Sequence, residues 1–251
     1  MATAVRTTIT DRVAVLTVSN PERRNAMNLE LSAKLVDAVH SAAGDDGVGA
    51  IVITGEEPAF CAGGDLSELA KADPATLRTV YAGFLAVADC PLPTIAAVNG
   101  AAVGAGLNLA LACDLRLAGP RAKFDARFLP LGLHPGGGYT WMAQRVLGPQ
   151  GAAALTLFGD VVDADEAARI GLVYRVCDDV VAAAVELGAR AAAAPPDLVR
   201  TTKATLRLTA GMATQAEAVE VEVRAQAASV HSDEFQQRLA ALQAKISRSS
   251  R

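Results

Sequence analysis

The sequence predicts an α/β fold with a helical C-terminal extension. Short apolar strands alternate with glycine turns and helix starts as far as about residue 177, and only helical signals follow. The composition agrees. The chain has 251 residues, 51% of them hydrophobic and 20% charged, which is enough to bury one large core and excludes a disordered chain. Aromatics make up only 4%, so Ala, Val and Leu must build that core.

Taken in order, Val5 to Ile9 and Val13 to Val18 alternate apolar and small polar residues around Asp11-Arg12, the pattern of a hairpin. Asn28 can cap a helix whose apolar face is Leu31, Leu35, Val36 and Val39 and which ends near Gly44. Ala50 to Thr54 reads as a buried strand, and a glycine turn from Phe60 to Asp65 leads into Leu66–Leu69. Asp73-Pro74 starts a helix with proline at its first position. Thr94 to Val98 is a second buried strand, followed by a glycine-rich turn from Asn99 to Gly106, a helix from Leu107 to Ala112 and a strand from Leu115 to Leu117. Asp163 and Glu166 form a capping-box pattern before a short helix ended by Gly171, and Leu172 to Val176 is one more strand. Thr214 with Glu217 forms another capping box, and Ser232 starts the last helix.

Several functions are excluded at this level. With 23 basic against 27 acidic residues the chain is not a nucleic-acid binder. No run of about 18 apolar residues suggests a membrane span. The four cysteines, Cys61, Cys90, Cys113 and Cys177, form no CxxC pair, and the N-terminus lacks a secretory pattern, so a reducing cytoplasm is expected. His40, His134 and His231 lie far apart without ligand spacing, so no metal site is expected. There is no P-loop and no GxSxG nucleophile elbow. Gly104-Ala-Gly106 lacks the third glycine of a dinucleotide fingerprint.

What stands out is a repeated arrangement of buried strand, glycine turn and helix start. It occurs at Ile51–Asp65 and again at Ile95–Asn108. Two such turns side by side could aim two backbone N–H groups at one oxygen. They could equally be tight turns placed for packing.

Four stretches carry a resemblance. They are Asn20 to Asn28, Phe60 to Leu66, Ala97 to Asp114, and Ala122-Lys-Phe through Leu131 to Gly138. In this order they resemble the crotonase superfamily, the enoyl-CoA hydratase/isomerase family, over residues 1 to about 210. The resemblance implies a spiral of ββα units over residues 1–195. A helical region over 196–251 would cap the active site and build a homo-trimer or a hexamer. It implies an acyl-CoA thioester as ligand, with coenzyme A as part of the substrate and no tightly bound cofactor. The thioester oxygen would be held by the N–H groups of Gly64 and Ala105. Arg24 and Ala26 on the first stretch, Ala62, Gly63, Asp65 and Leu66 on the second, and Val103 and Gly104 on the third would contact substrate or CoA. So would Phe128 and Leu131 on the fourth, and Lys203 in the C-terminal helices.

The departures concern the chemistry. Hydratases of this family use two glutamates, and the matching positions here are Asn108 and Phe128. Neither can transfer a proton at neutral pH, which argues against ordinary hydration. His134 and Tyr139 lie in the same segment and are the candidates for replacement chemistry such as thioester hydrolysis or decarboxylation. A non-catalytic acyl-CoA-binding protein is the alternative from another class. Asp125 is expected to pair with Arg127, Asp65 to cap the Leu66 helix, and Cys61 to be packed rather than reactive. Phe124, Phe128, Tyr139 and Trp141 crowd into a short segment, so part of the aromatic surface is expected to line an acyl pocket.

Overall fold

The computed structural model describes residues 2–249, which divide into two compact units with the boundary between Ala192 and Ala193. The first opens with the expected hairpin, β1 (Ala4–Thr10) and β2 (Val13–Ser19), turned at Asp11 and Arg12, both at positive φ. Helix α1 (Leu29–Ala43) follows. The Asn28 side chain accepts a hydrogen bond from Leu31 N at 2.7 Å, a cap typically contributing about 1 kcal/mol. There follow β3 (Ala50–Gly55), α2 (Leu66–Leu69), α3 (Pro74–Asp89), β4 (Thr94–Val98), β5 (Ala101–Val103), α4 (Ala105–Ala112), β6 (Leu115–Ala118) and β7 (Lys123–Asp125). The unit ends with α5 (Tyr139–Leu157), β8 (Val161–Asp163), α6 (Ala164–Arg169), β9 (Arg175–Val176) and α7 (Val180–Ala192).

Strands β1-β2-β3-β4-β6-β9 form one sheet, antiparallel only at β1–β2, and β5-β7-β8 form a smaller one. Both faces of the large sheet are covered, which is why its inner strands read as continuous apolar runs rather than alternating ones. Ala14, Leu16, Ile51, Ile53, Ala96 and Val98 pack in one core with Leu31 and Leu35 of α1 and Phe84 of α3. Val13, Val15, Ala50, Val52, Ile95 and Ala97 pack in a second core with Val180 and Ala184 of α7. Each fully buried Leu, Ile or Val contributes about 1.5–3 kcal/mol of transfer free energy.

The chain advances by repeating one step. A strand of the large sheet (β3, β4, β6) is followed by a short extended segment at the smaller sheet (Cys61, β5, β7), then by a helix (α3, α4, α5). This is the ββα progression that the sequence resemblance implied.

The second unit contains α8 (Pro196–Thr209), α9 (Gln215–Val230) and α10 (Asp233–Ser249). Thr214 and Glu217 form the full reciprocal capping box, and Ser232 Oγ accepts from Phe235 N at 3.2 Å. Among the described residues no helix is long and apolar enough to cross a membrane.

Three local expectations are corrected. The strand expected over 172–176 shrinks to Arg175–Val176, because Leu172 and Val173 donate to Ala167 O in a turn after Gly171. At 163–166 only half the capping box forms. Asp163 caps Glu166 N, while the Glu166 carboxylate turns to Arg169. The helix expected from Leu107 begins two residues earlier, at Ala105.

Candidate active site

The site is built where two loops are pinned to each other. Cys61 N donates to Ala101 O and Val103 N donates to Cys61 O, both at 3.0 Å, so the first glycine loop is zipped along β5. On its other side, Met27 N donates to Gly63 O at 2.7 Å and Asp65 N to Met27 O at 2.8 Å. Gly63 takes φ +115°, a region that a side chain disfavours. The second loop ends at Gly104, at φ +50°, whose N–H donates to Asp125 O at 2.9 Å. Helix α4 then starts at once. It packs so tightly against the first loop that a Cβ on Gly106 would stand 2.0 Å from Cys61 O.

The N–H groups of Gly64 and Ala105 have no partner among the described residues. Ala105 N–H belongs to the first turn of α4, where the helix presents positive partial charge. Both residues face a cleft of about 560 Å³. Its walls are the two loops, α2 and α3 (Leu69, Thr76, Leu77, Val80, Tyr81), and the 126–136 segment with Phe128, Leu131, Leu133 and His134. A wider, more open groove of about 1220 Å³ lies over the sheet face that α7 covers, and Gly64 and Ala105 take no part in it.

Asn108 lies one turn along α4 from Ala105 and is 2% exposed. Its Nδ2 donates to Gly136 O at 2.9 Å, which fixes the orientation of the amide and leaves Oδ1 buried without a partner. Phe128 is nearly buried and packs against Tyr139, ring centroids 5.1 Å apart.

The charged groups around the cleft are largely committed. Asp65 caps α2 by accepting from Ser67 N at 2.9 Å and also pairs with Arg23 at 3.0 Å. The Ser67 hydroxyl, which also donates to it, holds its carboxyl below the ordinary range. Arg127 Nε donates to Asp125 at 2.7 Å, as expected. Glu68 accepts from Leu29 N at 2.9 Å. The Cys61 thiol is fully buried and pushed up to about 11 by desolvation, so it is packed rather than nucleophilic. Among the described residues no three His, Cys, Asp or Glu stand together as metal ligands.

Comparison with known proteins decides the family. A family model described as enoyl-CoA hydratase/isomerase matches residues 8–247. A probable enoyl-CoA hydratase of Mycobacterium tuberculosis is 56% identical over 241 residues, covering 92% of this chain and 94% of that one. The chain belongs to the enoyl-CoA hydratase/isomerase family. The 2,3-dehydroadipyl-CoA hydratase of Escherichia coli is 38% identical over 209 residues, 82% of each chain. A solved structure of an enoyl-CoA hydratase from Polaromonas superposes with TM-score 0.90 at 30% identity, covering 96% of this chain and 97% of that one. The crotonase-like fold implied by the resemblance is therefore the fold observed.

Within this family fold, twelve of the residues singled out from sequence gather on the cleft. They are Ala62, Gly63, Gly64, Asp65, Leu66, Val103, Gly104, Ala105, Asn108, Phe128, Leu131 and His134. Arg24 and Ala26 do not line it. Arg24 O accepts from Ala62 N at 3.1 Å, which ties their loop to the first glycine loop. The Arg24 guanidinium has no partner among the described residues, whereas Arg23 is taken up by Asp65. Ala26 is buried. Lys203 lies on α8 in the second unit, and its side chain is buried.

In the aromatic segment one expectation is corrected, that for Tyr139, and the other is narrowed to a single residue, Phe128. Tyr139 is 1% exposed and does not line the cleft. It accepts from Thr156 Oγ1 at 3.3 Å, and burial raises its phenol above the ordinary range. Of the four clustered aromatics only Phe128 reaches the cleft. Phe124 is core, and Trp141 is exposed under the Arg145 guanidinium. The aromatic that sequence reasoning missed is Tyr81. Its spacing from Leu77 and Phe84 on α3, four and three residues, is the helical signal that could have placed it on the inner face.

Proposed function

We propose that the cleft binds an acyl-CoA thioester and that the N–H groups of Gly64 and Ala105 form an oxyanion hole. They would stabilise the charge that develops on the thioester oxygen. The observation that carries this reading is that two loops, hydrogen-bonded to each other, both line one cleft and each bring to it an unpaired N–H group, that of Gly64 and that of Ala105. The Arg24 guanidinium would meet the phosphates of CoA. Coenzyme A enters as part of the substrate.

Ordinary hydration is not proposed. Adding water across a double bond needs a positioned acid and base. Asn108 spends its amide on Gly136 O, and Phe128 is a hydrocarbon packed on Tyr139. The same two positions favour the second reading, an acyl-CoA-binding protein without turnover. Chemistry through Tyr139 finds no support in its burial. Isothermal calorimetry with butyryl-CoA and with free CoA tests the ligand. The expected result is tighter binding of the thioester, and equal binding of both would refute a site built around the acyl carbonyl.

The second unit exposes Val219, Val223 and Val230 on α9 and Leu198, Leu206 and Leu208 on α8. We propose that these residues serve assembly into a homo-trimer or hexamer. Light scattering after gel filtration reads the mass directly, and a monomer would refute it.

A further inference from the structure

We infer that His134 is the base of this site, its Nε2 taking a proton from the carbon beside the thioester carbonyl. The inference rests on the acyl-thioester reading above.

An oxyanion hole accelerates a reaction only if some group starts the charge moving toward the oxygen. The titratable groups on the cleft wall are Asp65, Glu68, Tyr81, Arg127 and His134. Asp65 is held by Ser67 and Arg23, and Arg127 by Asp125. Glu68 is engaged at the first residue of α1. Burial pushes the Tyr81 phenol above its ordinary range, so it holds its proton at neutral pH. That leaves the imidazole of His134, whose ring nitrogen can accept a proton.

His134 is also prepared for the task. Its Nδ1 lies 2.7 Å from Pro135 O. A carbonyl oxygen can only accept, so Nδ1 is the donor, and in the neutral tautomer that makes this bond Nε2 carries the lone pair. The backbone on both sides is anchored. Leu133 N donates to Phe128 O at 3.0 Å, and Gly136 O accepts from Asn108 Nδ2 at 2.9 Å and from Tyr139 N at 3.2 Å. Asn108, standing where relatives would carry an acid, is thus a positioning residue for the loop that bears His134.

The step balances without a further reactant. The C–H bond breaks and its proton goes to Nε2. The electron pair forms a carbon–carbon double bond, and the carbonyl π pair moves to oxygen as an enolate held by Gly64 and Ala105. Return of a proton from the imidazolium to the same carbon closes the cycle. In D2O that proton is replaced, so the cycle writes deuterium into a saturated acyl-CoA that cannot be hydrated.

The experiment is butyryl-CoA in D2O with the full chain, followed by mass spectrometry, alongside calorimetric binding of butyryl-CoA. The expected result is deuterium uptake by the wild type and a loss of about 10²–10⁴-fold in His134→Ala and His134→Gln, with binding retained. Uptake at the wild-type rate in His134→Ala would overturn the inference, as would binding without any uptake in the wild type. Loss of uptake in Glu68→Gln with retention in His134→Ala would overturn it in favour of Glu68. Absence of binding by the wild type would overturn the thioester reading itself, and the base with it.

Discussion

Replacing Gly106 by Ala adds one methyl group and should unclamp the site. The new carbon would lie 2.0 Å from the Cys61 carbonyl oxygen, against 3.4 Å for ordinary contact, so a separation of about 1.4 Å has to be found. That oxygen cannot swing aside as a side chain could. It is backbone and accepts from Val103 N at 3.0 Å. Overpacking of a tight interior costs about 1–3 kcal/mol, and losing the hydrogen bond adds about 1 kcal/mol, for a total of about 2–4 kcal/mol. At about 2–4 °C per kcal/mol for a chain of this size, the melting temperature should fall by about 4–16 °C. Gly64→Ala is the control. A Cβ there meets nothing within 4 Å and the backbone N–H is kept, so stability should change by less than about 0.5 kcal/mol. Melting curves of the three proteins decide the matter. If Gly106→Ala melts with the wild type, the two loops are not clamped and the alignment of their N–H groups loses its cause.

Three other outcomes follow from the same geometry. In the native protein at pH 8, iodoacetamide should label Cys177, which is half-buried, and spare Cys61, whose thiol burial pushes up to about 11; peptide mass mapping that finds Cys61 labelled would contradict its packing. Because the folded-state pKa of Asp65 is depressed, its contribution is complete above the ordinary Asp value of about 3.9 and is lost as pH falls through the lower folded value. Melting temperature against pH should therefore fall less steeply on the acid side in Asp65→Asn than in the wild type, and parallel curves would refute this. Arg24→Ala should weaken acyl-CoA binding by about tenfold, roughly 1.4 kcal/mol, with an unchanged melting temperature; unaltered affinity by calorimetry would remove Arg24 from the ligand site.

The strands and caps of the large sheet were legible because they depend on local pattern. Asn28, Asp73 and Thr214 announce their helices, and the inner strands are apolar on both faces. The smaller sheet was not legible. Its strands are three residues long, too short for any period to show, and β5 lies inside what reads as a glycine turn. Helix α5 hides for another reason. Gly148, at φ +69°, and Pro149 interrupt it and break its periodicity. At the site, the paired glycine turns could be seen in the sequence, but that they touch could not, because it depends on the Cys61–Ala102 bridge between distant segments. Spacing likewise gave no sign that Asn108 fastens the loop at Gly136, or that Tyr139 turns into the core while Tyr81 faces the cleft.

We propose a thioester site with oxyanion donors at Gly64 and Ala105 and with Asn108 and Phe128 where the family resemblance implies the two hydration glutamates. It is tested most directly by the turnover of a short enoyl-CoA to its hydroxyacyl product, measured on protein already seen to bind butyryl-CoA. Binding with hydration far below the range of about 1–10³ s⁻¹ usual for enzymes is the predicted result. Hydration within that range would contradict the reading of Asn108 and Phe128.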